Sequence, residues 1–306
     1  MYDLIIIGGG PAGVAGGVYA ARKKMKTLVI TDSFGGQSLV SDSIENWIGT
    51  KSISGWDLAK KLEEHLRAQE DIEILEEKAT GIAKKEGAFY VQTNSDKEFG
   101  AKTILLCTGG RHRKLNVPGE EKFEGKGVVY CSTCDAPLFK GKEVAVIGGG
   151  NAGLEAVIDL IPYASKITLI VRSGQVKGDP VTFEEIKKSE KVDVIYNADT
   201  TEIMGDILVS GIKYKELETS EEKELPVEGV FVEIGTMPNS DIVKDIVDLD
   251  ERGSVKIECK TGMSSVPGIW AAGDVSDVLY KQNNIAAGDA VRAVLNIYSY
   301  LREKGK

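Results

Sequence analysis

The chain has 306 residues, with 38 Lys and Arg against 47 Asp and Glu, a formal charge of −9 and a pI near 5.1. That length leaves room for about two domains, each able to bury its own core, and 42% hydrophobic with 28% charged residues excludes disordered, collagen-like and coiled-coil classes. The acidic balance argues against a nucleic-acid partner, and two His with four Cys are too few for a multi-metal protein or a disulfide scaffold.

Residues 4–21 carry no charge, which is long enough to span a bilayer. The run nevertheless holds six Gly and Pro11, and its cations, Arg22, Lys23 and Lys24, follow rather than precede it. That order is wrong for a signal peptide. The expectation is a soluble, cytoplasmic chain with no membrane partner.

The same run reads better as a strand over 4–7, a turn Gly8-Gly9-Gly10-Pro11-Ala12-Gly13, and a helix to Arg22, with a second strand over 27–30. This is a βαβ unit with the G-x-G-x-x-G fingerprint in its strand-turn-helix context. Gly8 makes the tight turn, Gly10 lets backbone approach a pyrophosphate, and Gly13 permits close helix–strand packing. The helix N-terminus offers its N–H groups to the anion. Asp32, past the second strand, reads equally as a ribose ligand and as a turn residue.

Further along, an amphipathic helix is expected over 56–69, with His65 on its surface, and strands over 72–75, 89–93 and 104–107, the last ending at Thr108-Gly109-Gly110. Val117-Pro118-Gly119 reads as a crossover between domains. A strand over 143–147, the turn Gly148-Gly149-Gly150-Asn151-Ala152-Gly153, a helix to about Ile161 and a strand over 167–171 repeat the first unit. One such fingerprint is weak evidence; two in the same context indicate two dinucleotide sites. After a strand over 229–234, a second crossover is expected near Pro238-Asn239-Ser240. A strand over 268–272, Gly273-Asp274 and a helix over 286–301 close the chain.

Cys131-Ser132-Thr133-Cys134 is the only close cysteine pair, with Cys107 and Cys259 far away in sequence. Zinc would want more ligands than the chain supplies nearby, and two inert thiols are a second alternative. The favoured reading is a redox-active pair, because C-x-x-C spacing lets the sulfurs bridge and can lower one thiol's pKa. The pair follows a strand over 128–130 and opens a short helix whose N-terminus favours a thiolate. Asp135 follows directly, either as acid–base partner or as a simple cap. Hydride from a nicotinamide does not ordinarily attack sulfur directly, so a flavin between donor and dithiol is implied.

These residues resemble the low-molecular-weight thioredoxin reductases over essentially the full chain. They are equally similar to the flavoprotein subunit of alkyl hydroperoxide reductase, without its N-terminal domain. The likeness rests on Gly8–Gly13, Gly35-Gly36-Gln37, Glu45-Asn46, Thr108-Gly109, Cys131–Asp135, Gly148–Gly153, Gly235–Asn239, Gly273-Asp274 and Lys281-Gln282. It implies an α/β fold of two Rossmann-like dinucleotide-binding domains: a discontinuous FAD domain, 1–116 and 241–306, and an inserted NAD(P)H domain, 117–240, that carries the C-x-x-C and swings between two orientations. It also implies a homodimer.

On the family pattern, Gly8, Gly10 and Gly13 hold the FAD pyrophosphate, with Asp32 at the ribose and Gly109 nearby. Gln37 and Asn46 lie near the flavin. Gly273 and Asp274 bind the ribityl or phosphate region, and Gln282 approaches the ring. Gly148, Gly150 and Gly153 take the nicotinamide dinucleotide. Cys134 faces the flavin, Cys131 attacks the partner disulfide, and Asp135 supplies the proton.

Two positions depart from the pattern. Ala136 stands where the family often has Gly, and Val171, Arg172, Ser173 and Lys177 replace the His-Arg-Arg run and later Arg that grip the NADPH 2′-phosphate. Losing one charge-assisted hydrogen bond, worth about 1.5–3 kcal/mol, costs roughly tenfold in preference. With no acidic residue ending that strand, the expectation leans to NADPH over NADH. The expected activity is NAD(P)H-dependent reduction of thioredoxin or a thioredoxin-like protein. The alternatives are a peroxiredoxin- or glutaredoxin-like partner, a ferredoxin-linked or dithiol-oxidase variant, and a non-catalytic dinucleotide-binding regulator.

Overall fold

The uncharged N-terminal run does not form one long helix. In the computed structural model, which describes residues 1–41 and 43–304, it folds as β1 (Tyr2–Gly9) and α1 (Pro11–Arg22). Gly10 is the extended N-cap and Pro11 takes the first helical position, where its missing N–H costs nothing. No helix among the described residues is long and apolar enough to cross a membrane.

β1 lies between two parallel partners, β2 (Thr27–Phe34) and β6 (Glu98–Leu106). α2 (Gly55–Arg67) leads to β3 (Ile72–Glu76), and β4 (Ala79–Lys85) forms an antiparallel hairpin with β5 (Ala88–Thr93). The strand order is β3-β2-β1-β6-β5-β4. Leu4 to Ile7 are at most 4% exposed, as expected of a parallel strand covered on both faces. Leu4 and Ile6 enter the cluster with Val14 and Val294, while Ile5 and Ile7 enter the one with Val243 and Val247. Each such side chain, fully buried, contributes about 1.5–3 kcal/mol. α2 begins at Ser54, whose Oγ accepts the Asp57 N–H at 3.0 Å.

A second compact unit, His112–Thr236, interrupts the first, which comprises Met1–Arg111 and Met237–Lys306. In it, β7 (Val128–Val129) leads to the four-residue α3 (Ser132–Asp135). Then come β8 (Glu143–Ile147), α4 (Asn151–Leu160), β9 (Lys166–Ile170), α5 (Pro180–Ile186) and β10 (Val192–Ile195). β11 (Ala198–Gly205), β12 (Val209–Glu216) and β13 (Glu222–Leu225) form an antiparallel sheet before β14 (Gly229–Val232). The parallel sheet has the order β10-β9-β8-β14-β7. Back in the first unit, β15 (Ile269–Ala271) pairs with the second half of β6 while β5 pairs with its first half, and α6 (Asn283–Lys304) packs on α1.

The chain crosses between units a few residues earlier than its Pro and Gly signals suggest. Val117-Pro118-Gly119 lies inside the second unit, where the Pro118 carbonyl accepts the Ile203 N–H at 2.9 Å. Pro238-Asn239-Ser240 lies just inside the first. β4 and the sheet β11-β12-β13 had no sequence expectation. In β12, buried Val209, Ile212 and Tyr214 stand among charged and polar residues, and the sheet is also tied by cross-strand pairs such as Lys213–Glu202 at 2.8 Å.

Candidate active site

In the first unit a cavity of about 940 Å³ opens at the C-terminal ends of β1 and β6, where the strand order reverses. Its lining includes Gly8, Gly10, Asp32, Gln37, Gly109 and Asp274. The three fingerprint glycines divide their tasks sterically. Gly8, at φ +117°, has no room for a Cβ, which would fall 2.2 Å from the Cys107 carbonyl oxygen. A Cβ on Gly13 would fall 1.8 Å from the Gly8 carbonyl oxygen. Gly10 faces open space, with nothing within 4 Å of its would-be Cβ. Asp32 belongs to the end of β2 rather than to a turn and is exposed at the cavity edge.

Residues remote in sequence close the cavity. Gln37 Nε2 donates to Asp274 Oδ2 at 3.1 Å, and Asn46 Nδ2 to Gln282 Oε1 at 3.4 Å. Burial pushes the Asp274 carboxyl up and lowers the Lys281 ammonium, which donates to the Asp274 carbonyl at 3.2 Å. Asn239 Nδ2 donates to the Thr108 carbonyl at 2.9 Å, and Arg111 donates to Asn239 Oδ1 at 2.7 Å. Asn239, Lys281 and Asn283, which links to Ser38, were not singled out as site residues from sequence. Asn239 and Lys281 carried a signal, since both stand in the family motifs.

In the second unit the steric pattern recurs. A Cβ on Gly148, at φ +139°, would meet the Glu233 carbonyl oxygen at 2.2 Å, and one on Gly153 would meet the Gly148 carbonyl oxygen at 1.8 Å. Gly150 again faces open space. The turn sits at the reversal between β8 and β14. The Lys177 N–H donates to the Gly149 carbonyl at 2.7 Å, which lays its loop against the turn. Arg172 follows β9, but its Nε lies 3.4 Å from Asp199 Oδ1.

Cys131 and Cys134 form a disulfide with Cα atoms 5.3 Å apart, so the sulfurs are bonded to each other. Cys131 is the N-cap of α3, and its carbonyl accepts the N–H groups of Cys134 and Asp135 at 3.2 and 3.0 Å. Both cysteines are half-buried and Asp135 is buried. Asp159 Oδ2 accepts the hydroxyls of Ser132 at 2.9 Å and Thr133 at 3.2 Å. Burial pushes the nearby Glu233 carboxyl up to about 8, although the Ser132 N–H pulls it the other way. Ala136 sits at φ −51°, a right-handed conformation that an L-residue adopts without strain. Cys107 is buried with its thiol pushed far up by desolvation, hence inert, and Cys259 is exposed.

A family model for the pyridine nucleotide-disulphide oxidoreductases matches residues 2–290. The chain belongs to that family. Relatives of this oxidoreductase include an alkyl hydroperoxide reductase component from Pseudomonas putida, 44% identical over 304 residues. A protein named NADH dehydrogenase from Bacillus subtilis is 42% identical over 300. Each match covers 98% of this chain but 58% of the relative, so the chain spans well under two thirds of their length. Among solved structures, thioredoxin reductase from Streptococcus pyogenes aligns with a TM-score of 0.92 at 34% identity over 99% of both chains. That from Giardia duodenalis aligns at 0.91 and 28%, over 98% of this chain and 99% of the other. The two-domain dinucleotide-binding fold of the thioredoxin reductases is therefore the fold of this oxidoreductase, and its redox disulfide is Cys131–Cys134.

Proposed function

We propose that the chain is an NAD(P)H-dependent FAD flavoprotein that reduces the disulfide of thioredoxin or a thioredoxin-like protein through Cys131 and Cys134. The observation that carries this reading is the C-x-x-C disulfide at the opening of α3, in the same unit as a second intact dinucleotide turn. FAD fits the first unit: Gly8 and Gly13 close the turn, Gly10 leaves room for a pyrophosphate, and the α1 N-terminus points N–H groups at it. Asp32 would hold the ribose, Asp274 and Gly273 the ribityl and phosphate region, and Gln37, Asn46 and Gln282 the flavin end. Bound there, FAD supplies the conversion of a two-electron hydride into electrons deliverable to sulfur.

In the reduced protein, the Cys131 thiolate attacks one sulfur of the partner disulfide and forms a mixed disulfide. The other partner sulfur leaves as a thiolate and takes a proton from Asp135. Cys134 then attacks the Cys131 sulfur, which restores the internal disulfide and releases the second partner thiol. Such a pair suits the cytoplasm, where stable disulfides are rare. Exposed Ile48, Leu279 and Tyr280 on the first unit support a homodimer, since a second copy would cover them.

Gly148, Gly150 and Gly153 would take the nicotinamide dinucleotide. The Arg172–Asp199 pair moves the donor preference from NADPH toward NADH, because a 2′-phosphate would have to displace a carboxylate. Anaerobic titration of the yellow protein with NADH and NADPH, followed by oxidised thioredoxin, tests the whole reading. A colourless protein that stays so with added FAD would end it. The named relatives favour a second reading, in which the partner is a peroxiredoxin-type or glutaredoxin-like protein. Parallel turnover assays with each partner separate the two.

A further inference from the structure

Asp159 stands on α4 where that helix by itself gives no reason for an acidic residue. The buried face of α4, with Leu154, Val157 and Leu160, packs against Val146 of β8 and Leu169 of β9. Asp159 is the penultimate residue of the helix, at the end where the dipole disfavours an anion. It also follows Glu155 by four residues, and like charges at that spacing repel each other along one face. Both effects weaken α4 as an isolated helix.

What offsets them lies on α3. Asp159 Oδ2 accepts the Ser132 hydroxyl at 2.9 Å and the Thr133 hydroxyl at 3.2 Å, and these are the two residues between the cysteines. α3 spans only Ser132–Asp135, too short to hold helical form without tertiary contacts. Ser132 is buried, Asp159 half-buried and Thr133 exposed. Hydrogen bonds to an ionised carboxylate are the stronger kind. One carboxylate oxygen thus fastens the segment between Cys131 and Cys134 to α4, the helix whose N-cap is Gly150 of the dinucleotide turn.

We propose that Asp159 is a positioning residue for the Cys131–Cys134 pair, holding α3 in the conformation in which the two sulfurs meet. The inference rests on the disulfide-reductase reading and deepens it. The disulfide and the Asp159 tether favour the same ordered α3, so each strengthens the other by the same factor. Reduction adds two electrons and two protons and breaks the S–S bond. The tether then keeps the two thiols close, which raises their effective concentration toward each other. Loss of Asp159 should therefore favour the dithiol. The electrons come from the nicotinamide donor in the proposed activity, with solvent completing the protons. In the test, dithiothreitol supplies both and closes into its own cyclic disulfide.

The holoprotein is equilibrated anaerobically at neutral pH in mixtures of reduced and oxidised dithiothreitol, and the Cys131–Cys134 disulfide is counted by thiol alkylation and peptide mass spectrometry. Asp159→Ala should move the equilibrium constant toward the dithiol by about five- to tenfold, the lower range for coupled equilibria. Asp159→Asn keeps an acceptor for the hydroxyls but drops the charge, and should stay within about twofold of wild type. The double variant Ser132→Ala/Thr133→Val removes the two donors instead, so it should already show the shift. Adding Asp159→Ala to it should change the constant by less than about twofold, because the partners share one interaction. If Asp159→Ala does not fold, the double variant decides alone. An unshifted constant in these variants, an Asp159→Asn shifted as far as Asp159→Ala, or a shift that survives in the hydroxyl-free background overturns the proposal alone. A wild-type pair that dithiothreitol never opens overturns the reductase reading with it.

Discussion

Arg172 Nε lies 3.4 Å from Asp199 Oδ1 at the end of β9. One of the two cations that the proposed function leaves to meet a 2′-phosphate, the other being Lys177, therefore already has an anionic partner, supplied by β11. Both side chains are exposed, so the pair itself stabilises little, yet its effect on a competing phosphate is direct. Asp199→Asn should raise the ratio of kcat/KM for NADPH over NADH by roughly tenfold, the scale of one charge-assisted hydrogen bond. Steady-state kinetics with both donors check this, and an unchanged ratio would remove Asp199 from the specificity argument.

The two kinds of fingerprint glycine separate folding from binding. Gly13→Ala drives a methyl to 1.8 Å from the Gly8 carbonyl oxygen and should lower Tm by several degrees. Gly10 has an ordinary φ of −75° and open space, so Gly10→Ala should fold with near-normal Tm but purify with little flavin. Thermal melts beside the visible spectrum of each variant decide it. Equal melting losses in both would contradict the steric division.

Cys134→Ser should abolish turnover of disulfide partners while flavin bleaching by NAD(P)H persists at near wild-type rate. Stopped-flow absorbance and a thiol-release assay read the two halves separately. Loss of both together would mean that the sulfur is needed for more than the outlet.

Glu233 also makes a stability prediction. Its folded pKa of about 8 lies above the ordinary value of 4.5, so the folded state holds a proton that the unfolded state releases between them. The associated stability is complete below about 4.5 and is lost as pH rises through about 8. Glu233→Gln, which stays neutral, should gain on wild type across that window and show its largest Tm advantage near pH 9. A constant Tm difference from pH 5 to 9 would contradict it.

Ala136→Gly would install the residue that the family often has. Because Ala136 is buried at a right-handed φ of −51°, glycine brings no conformational relief and frees the unfolded chain. A loss of about 0.5–1 kcal/mol is expected from urea denaturation, and a gain would imply strain at that site.

Much of this protein could be read without coordinates, because the decisive constraints are local. A G-x-G-x-x-G turn works through the backbone of six successive residues, and its steric demands at Gly8, Gly13, Gly148 and Gly153 are written in adjacent letters. The C-x-x-C pair is likewise local, since three residues bring the sulfurs within bonding reach. Cys131 as the cap of α3 follows from the same short stretch. Antiparallel strands such as β12 escaped notice because charges interrupt their few apolar residues and their partners lie on other strands.

What the tertiary structure decided is where strand order brings distant carboxylates. Asp199 reaches Arg172 because β11 runs beside the end of β9, and Asn239 reaches Thr108 across 131 residues of chain. Glu233 comes near Ser132 because β14 inserts between β8 and β7, which carries the chain into α3. A linear pattern records what each residue can do, but the charge and desolvation that set the state of Glu233 come from neighbours the fold alone assembles.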